Sequence, residues 1–148
     1  MSTPVIDQTC RVGVDLVMVE DVAASVERFG ERYLARVYTD HERSCCAGGP
    51  GTAAAGLAAR FAAKEAALKV LRPVGARPEW RSIEVVRHPN GACDLALTGE
   101  AARLAAAAGI RHLAVSLTHE AGMAAAVVVA TCGPGPIHPT DRSTDQGE

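Results

Sequence analysis

The chain has 148 residues, 48% of them apolar, and a formal net charge of −2. A length of this order suits one domain with a single core; the apolar share excludes disorder throughout, and the near-balanced charge argues against general nucleic-acid binding through phosphates. No charged segment leading into an apolar run opens the sequence, and no apolar stretch nears the ~18–20 residues of a membrane span, so neither secretion nor membrane insertion is expected.

Residues 1–10 read as a short polar lead-in, and the stretch from Arg11 to Val17 as a strand with Val12, Val14 and Leu16 on one face and Gly13 and Asp15 on the other. A carboxylate on that second face needs either solvent or a partner. Val22, Val26, Phe29, Tyr33 and Val37 then recur at helical spacing, which predicts one amphipathic helix over 20–36. Arg28, Arg32 and Arg36 would form a second stripe on it, either a solvated face balanced by Glu27 and Glu31 or a basic dock for an acidic partner. Thr39 and Glu42 fit a capping box opening a short helix. The Gly-rich run 44–52 lacks the Gly-Lys-Ser/Thr ending of a phosphate loop and reads as a loop.

The central helix is predicted from Ala54 to Leu71, stopping before Pro73. Leu57, Phe61, Leu68 and Leu71 fall on one stripe, Ala residues keep the remaining faces thin, and four charges interrupt it. Lys64 lies in the apolar stripe itself; Glu65 and Lys69 lie four apart on its flank. Two readings remain open. As surface charges, Glu65 and Lys69 would form an exposed pair contributing about 0.3–0.5 kcal/mol, with Arg60 and Lys64 snorkelling to water. As a site, the carboxylate suits a metal ion and the cations suit a polyphosphate.

Strands over 82–88 and 92–97 flank Pro89-Asn90-Gly91, and an Asn-Gly turn would set Arg87 opposite Asp94 and Val86 opposite Leu95. Thr98 can cap a helix running to Ala108 and ended by Gly109. A last hairpin pairs 113–119 with 123–130 around Glu120-Ala121-Gly122; its second strand is apolar on both faces and is expected to be buried, while Ser116 and Thr118 share one face of the first, with His119 at the turn. Residues 133–148 are Pro, Gly and polar, and read as a disordered tail. The five cysteines, Cys10, Cys45, Cys46, Cys93 and Cys132, contain no C-x-x-C pair and read as reduced thiols of a cytoplasmic protein. Only 3% of residues are aromatic, a composition that leans toward completing burial in an oligomer. The element order predicts an α+β domain over 11–132, an antiparallel sheet with hairpins packed on the long central helix.

Four motifs in order carry a family resemblance: Gly13-Val14-Asp15; Thr39 with Glu42; Arg60-Phe61-Ala62-Ala63-Lys64-Glu65-Ala66 with Lys69; and Val115-Ser116-Leu117-Thr118-His119 before an Ala/Val-rich strand. Together they resemble the holo-acyl-carrier-protein synthases, the stand-alone 4′-phosphopantetheinyl transferases. The resemblance implies transfer of the 4′-phosphopantetheine arm of coenzyme A to a serine of an apo acyl carrier protein, with adenosine 3′,5′-bisphosphate released. It implies Mg²⁺ held by Asp15 and Glu65, phosphates neutralised by Lys69, Lys64 and Arg60, and a coenzyme A pocket that includes Ser116, Thr118 and His119. Glu65 and a metal-bound water are both candidate acceptors for the serine proton. Arg28, Arg32 and Arg36 would meet the acidic carrier, and a homotrimer with sites between subunits is implied.

Two positions depart from the family pattern. Asp21 stands where an Arg is usual, which leaves a fatty-acid carrier and a specialised polyketide carrier both open. Arg72 and Pro73 replace a Gly-containing turn after Lys69. Two rival functions are a non-catalytic carrier or coenzyme A binding module of the same fold, and a Mg²⁺-dependent phosphohydrolase.

Overall fold

The computed structural model describes residues 10–133; the tail and nearly all of the lead-in lie outside the described residues. The elements are β1 (Cys10–Met18), α1 (Val19–Phe29), α2 (Glu31–Val37), α3 (Asp40–Cys45), α4 (Pro50–Leu71), a 3₁₀ turn (Trp80–Ser82), β2 (Ile83–Arg87), β3 (Cys93–Leu97), α5 (Gly99–Ala107), β4 (Ile110–Glu120) and β5 (Met123–Cys132). β5 lies between β1 and β4 in a three-stranded antiparallel sheet, and β2 and β3 form a separate hairpin. The α+β architecture with antiparallel pairing is therefore as the sequence predicts. Among the described residues no helix is long and apolar enough to cross a membrane, and all five cysteines are free thiols.

α4 is the spindle of the fold. Pro50 supplies a favourable first helical residue, so the helix starts four residues before the predicted Ala54 and takes in part of the Gly-rich run. Nearly every face is then covered. Leu57, Ala58 and Ala59 pack with Val22, Val37 and Tyr38; Ala62 and Ala63 meet Val85 and Ala126; Leu68, Val70 and Leu71 join Ile83, Ala101 and Val128. Small side chains let both sheets and three helices approach one axis. At the far end Arg72 caps the helix in the left-handed region, with φ 51° and ψ 58°, the conformation a glycine would adopt without steric cost.

β1 reaches closest. A Cβ on Gly13 would lie 2.1 Å from the carbonyl oxygen of Ala66 and 3.2 Å from Val70 Cγ2, so only glycine allows the strand to lie against the helix backbone. Arg11 Nη1 donates to Val70 O at 2.9 Å on the same side. The inward face of β1 is consequently the Gly13–Asp15 face. Its apolar face, with Val12 63% and Leu16 61% exposed, points outward together with Val14, Met18, Met123 and Val127. The expectation that β5 is buried on both faces fails for this reason: Ala124, Ala126, Val128 and Ala130 pack on α4, while the alternate residues form part of the open outer face.

Two further expectations are corrected. The predicted helix over 20–36 is two helices, broken at Gly30, whose φ of 54° and ψ of −129° suit glycine alone. The β2–β3 hairpin pairs Val86 with Asp94 and Val85 with Leu95, one residue off the predicted register. A two-residue Asn-Gly turn would need a donor from Pro89, which has no N–H. Instead His88 N donates to Ala92 O at 2.8 Å, Gly91 N donates to His88 O at 2.9 Å, and Gly91 takes φ 88°. The resulting three-residue loop sets His88 Nε2 2.6 Å from Asp94 Oδ2. The last hairpin does turn on two residues, Ala121 (φ 52°) and Gly122 (φ 77°).

The substitution Gly13→Ala is expected to cost on the order of 3 kcal/mol or to displace β1, because the obstructing atom is backbone. Gly49→Ala, where an added Cβ meets nothing within 4 Å, is expected to stay within about 0.5 kcal/mol. Urea unfolding of the two variants checks the contrast.

Candidate active site

Because Gly13 lets β1 rest on α4, Asp15, two residues further along the same face, arrives beside the helix. Its carboxylate is 19% exposed, and Lys69 Nζ lies 3.2 Å from Oδ1 while donating to Val14 O at 2.7 Å. The exposed i,i+4 pair between Glu65 and Lys69 is therefore not the one formed: Lys69 turns to the strand. Glu65 is left half-buried and lines an open groove with Asp15, Asp21, Ser25, Tyr33 and Phe61.

Among the described residues no three acidic, histidine or cysteine side chains cluster into a preformed metal cage. Two carboxylates in an open groove nevertheless suit Mg²⁺, which takes oxygen ligands, keeps several waters and draws its remaining ligands from substrate phosphates. That Asp15 already holds an ammonium at 3.2 Å marks the spot as one that favours positive charge.

A second concavity lies on another side of α4. Arg60 is five residues before Glu65, roughly 140° around the helix, and it lines a cavity of ≈ 230 Å³ with Arg87, Gly91, Thr118 and His119. Cys45, Cys46 and Cys93 form part of its wall. The Arg60 side chain is only 7% exposed; Nη1 donates to Gly56 O at 3.1 Å, and buried Nε has no hydrogen-bond partner among the described residues. An arginine in the cavity wall together with Thr118 and His119 suits a phosphate or another anion.

Lys64 belongs to neither concavity. Its side chain is fully buried, and its three donors go to Glu42 Oε1 at 2.7 Å, Trp80 O at 3.0 Å and Ile83 O at 2.5 Å. No donor is left for a phosphate, so the expectation that Lys64 binds cofactor is corrected. Glu42 is equally engaged: Oε1 also accepts from Thr39 N at 2.9 Å and Oε2 accepts from Val85 N at 3.0 Å, while Thr39 Oγ1 accepts from Glu42 N. The predicted capping box is present and does more than cap, tying α3, α4 and β2 at one buried carboxylate. Burial lowers the Lys64 pKa, and the neighbouring Glu42 opposes that shift. The sequence held a signal for this pair, a lysine inside an apolar stripe, with a Thr-x-x-Glu box upstream to receive it.

The remaining predicted residues are spread wider. Ser116 projects from the outward sheet face opposite Val127 and lines neither concavity. Arg28, Arg32 and Arg36 are all exposed, but the break at Gly30 divides them between two helices. Arg28 stacks 5.0 Å from the Phe29 ring centroid, and Arg36 lines a shallow groove with Arg77 and Arg81.

The model of the 4′-phosphopantetheinyl transferase superfamily matches residues 11–132, and the chain belongs to that superfamily. Its relatives lie in the holo-acyl-carrier-protein synthase branch. The holo-[acyl-carrier-protein] synthase of Desulforudis audaxviator is 43% identical over 119 residues, covering 80% of this chain and 90% of that protein. The synthase of Chloroflexus aggregans is 47% identical over 129 residues, covering 80% and 92%. Among solved structures, a Chronobacterium ammoniagenes ACPS–CoA complex superposes with a TM-score of 0.74 at 30% identity, covering 86% of this chain and all of that one.

Lys64→Met leaves the Glu42 carboxylate buried without its cation, so a loss of about 3–5 kcal/mol in unfolding free energy is expected. Folded Lys64→Met protein should keep its affinity for an anionic nucleotide, measured by calorimetry. A binding defect with unchanged stability would return Lys64 to the phosphate-binding set.

Proposed function

We propose that the protein transfers the 4′-phosphopantetheine group of coenzyme A to a serine hydroxyl of an apo acyl carrier protein, releasing adenosine 3′,5′-bisphosphate. The observation that carries this reading is the convergence of Asp15, Glu65 and Lys69 where β1 crosses α4. The relatives named holo-[acyl-carrier-protein] synthase and the coenzyme A complex of the Chronobacterium protein support it.

Asp15 and Glu65 would hold Mg²⁺. When bound, the cation supplies charge neutralisation on a diphosphate that becomes more negative as its leaving oxygen departs. Lys69, fixed by Val14 O and Asp15, stands beside that charge and presents its ammonium without having to order a free side chain. The serine oxygen forms a bond to the phosphorus carrying the pantetheine arm, and the bond from that phosphorus to the departing nucleotide phosphate breaks. Glu65, in the same groove, accepts the serine proton. Arg60, Thr118 and His119 would bind the nucleotide end of coenzyme A through the guanidinium charge and the imidazole. Arg28, Arg32 and Arg36 offer cations to an acidic carrier from α1 and α2.

The groove and the cavity share no residue within one chain. A further copy seated on the outward sheet face would bring one chain's groove to another's cavity and cover Val12, Val14 and Leu16. We therefore read the working form as a homotrimer with its sites between chains. Ser116, on that face, would reach cofactor only in such an assembly.

Intact-mass analysis of an apo carrier incubated with coenzyme A and Mg²⁺ should show the mass of one phosphopantetheine added. Asp15→Asn and Glu65→Gln are each expected to cut the rate by at least about a thousandfold, equivalent to roughly 4 kcal/mol of barrier, with the fold intact by circular dichroism. Full activity in either variant would exclude the assignment. Leu16→Glu is expected to convert the sedimentation species to monomer and remove transfer with it. A monomeric wild type that remains active would reject the shared site.

A further inference from the structure

Arg36 on α2 and Arg77 and Arg81 around the 3₁₀ turn line one groove, in which Glu79 is the single acidic residue. The whole chain carries a net charge of −2, so three guanidinia against one carboxylate here form a local concentration of positive charge. All three arginines are exposed. Among the described residues Arg36 and Arg77 make no hydrogen bond or ion pair. Arg81 Nη2 reaches only Asp40 Oδ1 at 3.9 Å, and that carboxylate is 95% exposed, so the pair holds the guanidinium weakly. The backbone that carries Arg77 and Arg81 is fixed from several sides. Pro78 is buried, the Trp80 ring lies 5.2 Å from that of Phe61, and Trp80 O accepts from buried Lys64 at 3.0 Å. Ser82 closes the turn by donating to Glu79 O from its amide at 3.0 Å and its hydroxyl at 2.6 Å. Two ridges join this groove to the one that Asp15 and Glu65 line. On α2, Tyr33 lines the acidic groove and Arg36, three residues on along the same face, lines the basic one. In the second ridge, Phe61 lines the acidic groove and its partner ring, Trp80, lines the basic one.

We propose that the groove of Arg36, Arg77 and Arg81 docks an acidic surface segment of the acyl carrier protein while the carrier's serine stands in the neighbouring acidic groove. The inference rests on the transfer reaction proposed above and adds Arg77 and Arg81 to the residues that meet the carrier. A folded carrier is wider than the serine it presents, so it extends over a rim of the acidic groove. On the rim built by α2 and the Phe61–Trp80 pair, its carboxylates meet cations that have no strong partner of their own. Docking there orders arginine side chains on a backbone that is already held, which keeps its entropic cost low. The repulsive carboxylates in the acidic groove and the attractive cations beside it together set the orientation of an acidic protein: its charged surface goes to the arginines and its neutral serine to Asp15 and Glu65.

The test measures transfer kinetics of the full chain carrying Arg77→Glu and Arg81→Glu, with an acidic apo acyl carrier protein as the varied substrate. KM for the carrier is expected to rise at least about tenfold, with kcat and the KM for coenzyme A within about twofold of wild type. The pair Arg77→Lys and Arg81→Lys keeps the charge and is expected to hold the carrier KM within about threefold of wild type, which separates lost attraction from a disturbed fold. In calorimetry, raising salt from about 50 to about 300 mM is expected to weaken carrier binding more in the wild type than in the Glu variant. A carrier KM unchanged by the double reversal, a fall in kcat alone, or an equal rise in the KM for coenzyme A overturns the proposal; in the last case the groove serves the cofactor. Wild-type protein that transfers to no carrier rejects the proposed function, and the calorimetric affinities of wild type and Glu variant for the carrier still decide the dock. No carrier binding by the wild type rejects both.

Discussion

At Gly13, β1 lies so close to the backbone of α4 that a single methyl group there would lie 2.1 Å from the Ala66 carbonyl oxygen. The arrangement around the groove depends on that contact. Seating the strand on the helix turns its Gly13–Asp15 face inward, delivers Asp15 to Lys69 and sets it in the groove that Glu65 lines. It also turns Val12, Val14 and Leu16 outward, against the usual preference for burying a strand's more apolar side. One glycine thus couples the acidic groove to an apolar surface that a single chain leaves open.

The second fixed point lies two residues earlier on α4, where Lys64 and Glu42 are buried together. An ion pair in a core gives little net stability against apolar residues of similar volume, since desolvating two charges offsets most of their attraction. Here the carboxylate also takes the Thr39 and Val85 amides, and the ammonium takes two main-chain carbonyls. The pair therefore satisfies backbone groups from α3, β2 and the turn before it. It fixes how those elements meet α4, and with them the wall of the Arg60 cavity. The Ala-rich character of α4 makes this possible, since thin faces admit neighbours on every side while the long polar side chains act as struts.

The charged side chains carried by or gathered on α4 are divided between two sides of the helix. Asp15, Glu65 and Lys69 gather on the β1 side, whereas Arg60 looks into a cavity bounded by α3, the β2–β3 loop and the end of β4. The first half joins two carboxylates and a lysine, and the second carries a largely buried guanidinium.

The amino-acid sequence by itself determined the main elements, the antiparallel α+β class, the capping box and the family, because these depend on short-range spacing: alternation in β1, a 3.6-residue period in α4, Thr39 three residues before Glu42. It also isolated Asp15, Glu65, Lys69, Arg60 and His119 as chemically informative. Which of them meet was decided by the tertiary structure alone. Lys69 sits equally well, by spacing, with Glu65 or with a distant residue, and only the seating of Gly13 on Ala66 selects Asp15. Lys64 stood out by spacing as a lysine inside an apolar stripe, but that it goes to Glu42 rather than to a phosphate was decided by packing. The break at Gly30 and the hairpin register were local in origin, set by a positive φ and by the missing Pro89 N–H, yet each changes which side chains share a face. Whether an apolar strand face points to the core or to solvent is a property of what packs against the other side, and no pattern within the strand contains it.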